Sequence, residues 1–178
     1  MGTLAVDLGQ LSEGRSAGPQ LTVESGPDGK AVVMLNSETA GESTVSAYIG
    51  PDTSGPPIGS VNVEFTAGDA VGLALHTEPS ESVKSGSAFD TQPVVQLQDG
   101  DSNTVQQQDV PVAVALVDGS GGAIDPAVAS LSGITTIQTD ENGQAVFTGL
   151  AIEGAAGEYY LEFTSGGLQE LRYGPVMV

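Results

Sequence analysis

A short turn-and-strand pattern occurs twice in this chain, and that duplication restricts the folds open to it more than any other feature. Asp28-Gly29-Lys30-Ala31-Val32-Val33 is followed by Ala40-Gly41-Glu42-Ser43-Thr44-Val45-Ser46-Ala47. The second copy is Asn142-Gly143-Gln144-Ala145-Val146-Phe147, followed by Ala156-Gly157-Glu158-Tyr159-Tyr160-Leu161-Glu162-Phe163. In each, an Asp-Gly or Asn-Gly pair supplies the positive φ values of a tight hairpin turn. An apolar strand follows, and an Ala-Gly-Glu step opens a second, alternating strand. The turn glycines, 29 and 143, stand 114 residues apart, and the later glycines, 41 and 157, stand 116 apart. That spacing is the length of one β-sandwich domain, so the chain reads as two of them in tandem.

Gly 25 and Pro 10 interrupt the chain every few residues, and no stretch keeps apolar residues at helical spacing over three turns. The pattern is all-β. In the first half, the expected strands are Leu4–Leu8, Leu21–Glu24, Ala31–Leu35, Thr44–Ile49 and Val61–Phe65. Leu21–Glu24 and Ala31–Leu35 are expected to form a hairpin around Ser25–Gly29, and Val45, Ala47 and Ile49 to be buried. Gly9–Pro19 and Gly50–Gly59 read as loops, and Gly68-Asp69-Ala70 as a short, stiff linker. The expected domains are therefore 1–68 and 69–178. The second should hold about seven strands, including Leu73–Leu75, Pro93–Gln98, Val110–Leu116, Thr135–Thr139, Glu158–Thr164 and Leu171–Val178, with Val110, Val112, Val114 and Leu116 on one face.

Aligned through the repeat, Leu4 corresponds to about Val112, so the strands around Leu73 and Pro93–Gln98 have no counterpart in the first domain. Three explanations stand: the chain begins inside a domain, another chain supplies the strands by strand addition, or the first domain is a shorter sandwich that closes alone. Met1-Gly2 leads straight into the first strand with no export leader, so a segment cut from a longer chain is expected.

The run Asp28–Leu35 through Ala40-Gly41 to Val45-Ser46-Ala47 resembles the bacterial Ig-like repeats of the invasin and intimin type. Gln92–Asp99, Asn103-Thr104-Val105 and Asn142–Leu150 are similar to tandem repeats of large bacterial surface proteins. The resemblance implies two Ig-like Greek-key sandwiches, the first lacking its N-terminal strands. It also implies extracellular exposure and a multidomain parent, and such repeats serve as stalks, adhesin modules or domains on phage particles.

The chemistry of the chain narrows its function. Four Lys+Arg against 23 Asp+Glu give a formal charge of -19, which repels nucleic acid and anionic membranes alike; no apolar span suggests membrane insertion. With no cysteine, neither disulfides nor thiolate sites are available. His76, the only histidine, reads as a surface residue at a strand end, and Gly119-Ser120-Gly121-Gly122 lacks the Lys and Ser/Thr of a phosphate loop. One candidate metal site remains. Asp99, Asp101 and Asn103 have the D-x-D-x-N opening of a calcium loop, but Thr104 and Val110 stand where its glycine and bidentate glutamate belong, so a hairpin turn competes with a weak calcium site. No other cofactor is expected.

The expected function is that of a non-catalytic stalk, spacer or adhesion segment of a bacterial cell-surface protein. Its expected partners are neighbouring Ig-like domains and a host or cell-surface protein. The alternative is a structural subunit of a filament or virus particle, self-assembling by strand complementation with Leu171–Val178 as donor.

Overall fold

The computed structural model describes residues 3–7, 20–50 and 53–178. The expected loop at Gly9–Pro19, and Pro51 and Asp52 of the second loop, lie outside the described residues. Those described form thirteen strands and no helix, so the chain is all-β, as its glycine and proline spacing implies. Two compact units divide it, Met1–Thr66 and Ala67–Val178.

Unit 2 holds β5 (Gly72–Thr77), β6 (Val94–Gln98), β7 (Pro111–Val117), β8 (Ala129–Ser132), β9 (Thr136–Gln138), β10 (Gln144–Val146), β11 (Ala151–Gly154), β12 (Glu158–Thr164) and β13 (Leu171–Met177). One sheet runs β10-β6-β5 and the other β13-β12-β7-β9, with β11-β8 as a separate pair. The chain thus crosses from one sheet to the other after β6, returns at β10 and crosses again before β12. Alternating residues of the two sheets meet in one core: Val95 and Leu97 from β6, Val112, Val114 and Leu116 from β7, and Leu161 and Phe163 from β12 are all buried. Phe147, just after β10, packs its ring against Phe163 with centroids 5.5 Å apart and planes tilted by 58°. Val110 is only half-buried at the end of the expected apolar face.

There are nine strands here, where about seven were expected. The additional pair, β8 and β11, is only four residues deep, too short for alternation to distinguish it from loop. The C-terminal stretch read as a candidate donor is β13, paired along its length with β12.

Unit 1 holds β1 (Thr3–Asp7), β2 (Gln20–Glu24), β3 (Gly41–Ile49) and β4 (Gly59–Phe65) in one antiparallel sheet, ordered β2-β1-β3-β4. This is the β9-β7-β12-β13 sheet over again. Leu4 pairs with Val23 as Val112 pairs with Ile137, and Ser43 pairs with Val63 as Tyr159 pairs with Val176. Val23 and Ile137 are again 114 residues apart, and Ser43 and Tyr159 are 116 apart. The duplication seen in the sequence is therefore a duplication of strand order and register.

Two expectations for unit 1 are corrected. Ala31–Leu35 is not a strand, and β2 pairs with β1 instead. Ile49 is 76% exposed rather than buried, although Val45 and Ala47 are half-buried. Both corrections have one cause. In unit 2 the equivalents of Lys30–Val32 form β10, which is held by β6, and no described strand of unit 1 occupies that place.

Candidate functional site

The candidate calcium residues sit where β6 ends. Asp99 is 7% exposed, and both its carboxylate oxygens already accept hydrogen bonds. Oδ1 takes the backbone N–H groups of Asp101 at 3.0 Å and Asn103 at 2.8 Å. Oδ2 takes the Gly68 N–H at 2.9 Å and the Asn103 amide nitrogen at 3.0 Å. Asp101 is exposed and lends the arrangement its backbone rather than its carboxylate. The three residues are thus brought together, with the amide groups of Asp101, Asn103 and Gly68 directed at the oxygens a cation would need. Among the described residues no group of three or more His, Asp or Glu side chains is placed to hold a metal.

The same five-residue device recurs at sites that sequence reasoning passed over. Asp118 Oδ1 accepts from the N–H groups of Ser120 and Gly122, both at 2.8 Å. Asp140 Oδ1 accepts from those of Asn142 and Gln144, both at 2.9 Å. In all three, the fourth residue lies in the left-handed region: Ser102 at φ 67°, Gly121 at 87° and Gly143 at 74°. The first residue's N–H also bonds the carbonyl of the fifth, in Asp99 to Asn103, Asp118 to Gly122 and Asp140 to Gln144. The repeated turn of unit 1 has this backbone frame, Gly26 to Lys30 at 2.8 Å with Gly29 at φ 78°, but a glycine in the aspartate's place. The legible signal is an Asp four or five residues ahead of a strand or bridge with a residue tolerant of positive φ at the fourth position of the turn; the D-x-D-x-N spelling at Asp99 is one instance of it.

The duplicated turn, read as a hairpin, is corrected in the same terms. Only the glycine has positive φ, so Asp28 and Asn142 are ordinary turn residues, and the strands on either side of Asp140–Gln144, β9 and β10, belong to different sheets. At Asp99–Asn103 the chain does double back, through the Gln98–Thr104 bridge and a bond from Val105 N–H to Leu97 carbonyl, before crossing to β7. Gln96, 5% exposed on the outer face of β6, ties two of these turns together: its Nε2 lies 3.1 Å from the Asn142 carbonyl and 3.4 Å from that of Val105.

Such bonding sets the acidity of the carboxylates. Asp99 is lowered from 3.8 to about 2, chiefly by the Gly68 N–H and then by the Asn103 side chain. Asp118 is lowered by the Ser120 hydroxyl and the Gly122 amide, and Asp140 by the Gln144 amide. Because the folded value lies below the unfolded one, each contributes stability that is complete above the unfolded pKa and is lost as pH falls through the folded value. For Asp99 the window runs from about pH 4 to about pH 2. Asp99→Asn is expected to lower the melting temperature at pH 7. Its deficit relative to the parent chain should shrink across that window, as read by melting curves of both chains at each pH. Calcium at millimolar concentration is expected to leave the melting temperature of the parent chain unchanged, because donors already face both Asp99 oxygens; an upward shift would identify a calcium site.

His76 lies exposed on β5, as a surface histidine should. Beside the following turn is an open depression of about 390 Å³ lined by Glu78, Glu81, Tyr173 and Pro175. Its one chemically distinctive group is occupied: the Tyr173 hydroxyl donates to the Pro79 carbonyl at 3.0 Å, and burial, with the charges of Glu78 and Glu81, raises its pKa. A second depression, about 560 Å³, is lined by Ser82, Lys84, Ser87, Asp90 and the C-terminal Met177 and Val178. The glycine-rich loop holds no open cradle, since Asp118 fills it from within. No helix among the described residues is long and apolar enough to cross a membrane.

Comparison with known proteins adds a family. A model described as SMCHD1 Ig-like domain 6 matches residues 68–176. No curated protein matches the chain. Among solved structures, a β-glycosidase from Bacteroides vulgatus is similar at 14% identity and TM-score 0.42, over 96% of this chain and 20% of that one. A glycosyl hydrolase family 2 member from Bacteroides cellulosilyticus gives 14% and 0.45, over 96% of this chain and 22% of that one. The adhesin InvE of Yersinia pseudotuberculosis gives 17% and 0.41, over 97% of this chain and 48% of that one. The chain thus spans about a fifth of the two glycosidase chains and about half of the adhesin chain.

Proposed function

The chain belongs, through residues 68–176, to the Ig-like domain family described as SMCHD1 Ig-like domain 6, and on that premise we propose that it is a non-catalytic tandem Ig-like module of a bacterial cell-surface protein, a stalk or spacer or an adhesion segment. In this reading domain 1–68 is a partial sandwich and domain 69–178 a complete one. Its partners are neighbouring Ig-like domains and proteins of a host or cell surface. The observation that carries the reading is how unit 2 spends its polar groups: the carboxylates of Asp99, Asp118 and Asp140 serve as backbone acceptors in turns around a sealed apolar core. Groups committed in this way stiffen the ends of a sandwich and are withdrawn from chemistry. The duplicated turn-and-strand motif and its resemblance to invasin and intimin repeats support the surface assignment. The charge of -19 suits a surface that resists non-specific sticking.

Antibodies raised against the folded chain test the assignment. They should label intact cells of the source organism, and protease added outside should remove the label. Labelling only after permeabilisation would overturn it. Beads coated with the chain then separate spacer from adhesin: retention on host or neighbouring cells, abolished by competing soluble chain, identifies an adhesion segment.

A further inference from the structure

One sheet face of unit 1 is finished and the other is not. Towards one side β3 and β4 present a polar ladder, with Thr44 Oγ1 donating to Asn62 Oδ1 at 2.9 Å, Asn62 Nδ2 donating to Glu42 Oε1 at 2.7 Å, and the Ser46 and Ser60 hydroxyls 2.8 Å apart. On the other side stand Val45, Ala47, Ile49, Val61, Val63 and Phe65. In unit 2 the residues that match Val45, Ala47 and Val63, namely Leu161, Phe163 and Val176, are at 0% exposure, whereas Val45, Ala47 and Val63 are only half-buried. In unit 1, Val61 is 60% exposed and Ile49 76%. An antiparallel sheet that is polar on one face and apolar on the other is built to be covered on the apolar face.

The duplication says what covers it. In unit 2, Ala145 and Phe147 point into the core at 0% exposure, and β10 is kept in place by β6, with Ala145 opposite Val95 and Val146 opposite Val94. β6 is in turn paired with β5. The corresponding stretch of unit 1 keeps the alternation, with Ala31, Val33 and Leu35 half-buried, but Val32 and Met34 are 85% and 93% exposed and the stretch lies in no ladder. We propose that unit 1 takes an antiparallel strand pair of the β5–β6 kind onto the edge formed by Lys30–Leu35, joined in the same chain ahead of β1 as β5 and β6 stand ahead of β7.

A matching pair carries Leu or Val at alternate positions facing Val45 and Val63, as Leu73, Val95 and Leu97 do in unit 2, and offers its backbone to residues 30–32. A second copy of this chain is a poor donor. Its own β5–β6 pair has Leu73, Val95 and Leu97 at 9%, 1% and 0% exposure, so giving it up would open unit 2. The inference rests on the duplication alone, so the surface assignment can fail without it.

The test is the full chain carrying a copy of residues 67–108 ahead of Met1, the length that puts the copied β6 as far from β1 as β6 is from β7. Amide hydrogen exchange is read at residues 30–35, with the amides of unit 2 in the same sample reporting that it remains folded. Without the extension these amides should exchange freely; with it they should slow on the order of 100-fold. The same extension bearing Val95→Pro and Leu97→Pro in the copied segment should give no protection. Equal exchange with and without the extension, or equal protection from the proline-bearing one, overturns the proposal. Protection by residues 67–108 as a separate peptide, but not when joined, overturns the covalent order.

Discussion

Phe147→Ala should lower the stability of unit 2 by about 3–5 kcal/mol, the usual cost of removing a fully buried aromatic ring. Phe147 is 0% exposed and lies against Phe163 from the opposite sheet at 5.5 Å. The loss combines the ring's transfer free energy, its tilted contact with Phe163 and a void that the surrounding core can fill only in part. For a unit of this size the melting temperature should fall by roughly 15–25 °C, read as the displacement of one calorimetric transition. Val33, which stands at the equivalent position in unit 1, is half-buried. Val33→Ala should cost under about 1.5 kcal/mol, because less surface is removed and no sealed core surrounds it. A similar loss at both positions would show that unit 1 is as tightly closed as unit 2.

Gly143→Ala is the second large effect, and its counterpart Gly29→Ala is the control. Both glycines have positive φ, 74° and 78°, so either alanine pays about 1–2 kcal/mol for a left-handed backbone. They differ in their surroundings. A Cβ on Gly143 would be driven into the carbonyl oxygen of Val105, with the Gln96 amide nitrogen 3.1 Å away, whereas a Cβ on Gly29 meets nothing within 4 Å. Because the obstacle is backbone, the Asp140–Gln144 turn and the loop at Val105 must separate, and Gln96 loses the carbonyls it bridges. Gly143→Ala should therefore destabilise by more than about 3 kcal/mol and Gly29→Ala by no more than about 2 kcal/mol. Urea denaturation of the two variants measures the difference directly, and near-equal values would remove the steric part of the account.

The same comparison shows where the sequence was readable. Its alternation placed β3, β7 and β12, and the pairing of Val112, Val114 and Leu116 in one core follows from period two alone. The alignment of Leu4 with Val112 matches the equivalence found, in which Leu4 pairs with Val23 as Val112 pairs with Ile137. What escaped was partnership. Ala31–Leu35 spells a strand as clearly as Gln144–Val146 does, yet only the latter is one, because a strand exists through the ladder that holds it and β6 has no described counterpart. Ile49 was assigned to a core on the same local evidence and is exposed for the same reason.

The candidate site divides along a similar line. Spacing alone made Asp99, Asp101 and Asn103 resemble the start of a calcium loop. That the carboxylate of Asp99 reaches the N–H of Gly68, thirty-one residues away, could be seen only after folding. The turn rule shared by Asp99, Asp118 and Asp140 was in the sequence throughout, but the acceptor role of each carboxylate depends on where its neighbours' amides point. By itself, then, the sequence determined the all-β class, the duplication, its period and the alternation of each strand, because these depend on local sterics and on a side-chain repeat of two. The tertiary structure alone decided which alternating segments became strands and which apolar faces were sealed, because backbone hydrogen bonds and burial are completed by residues far away in the chain.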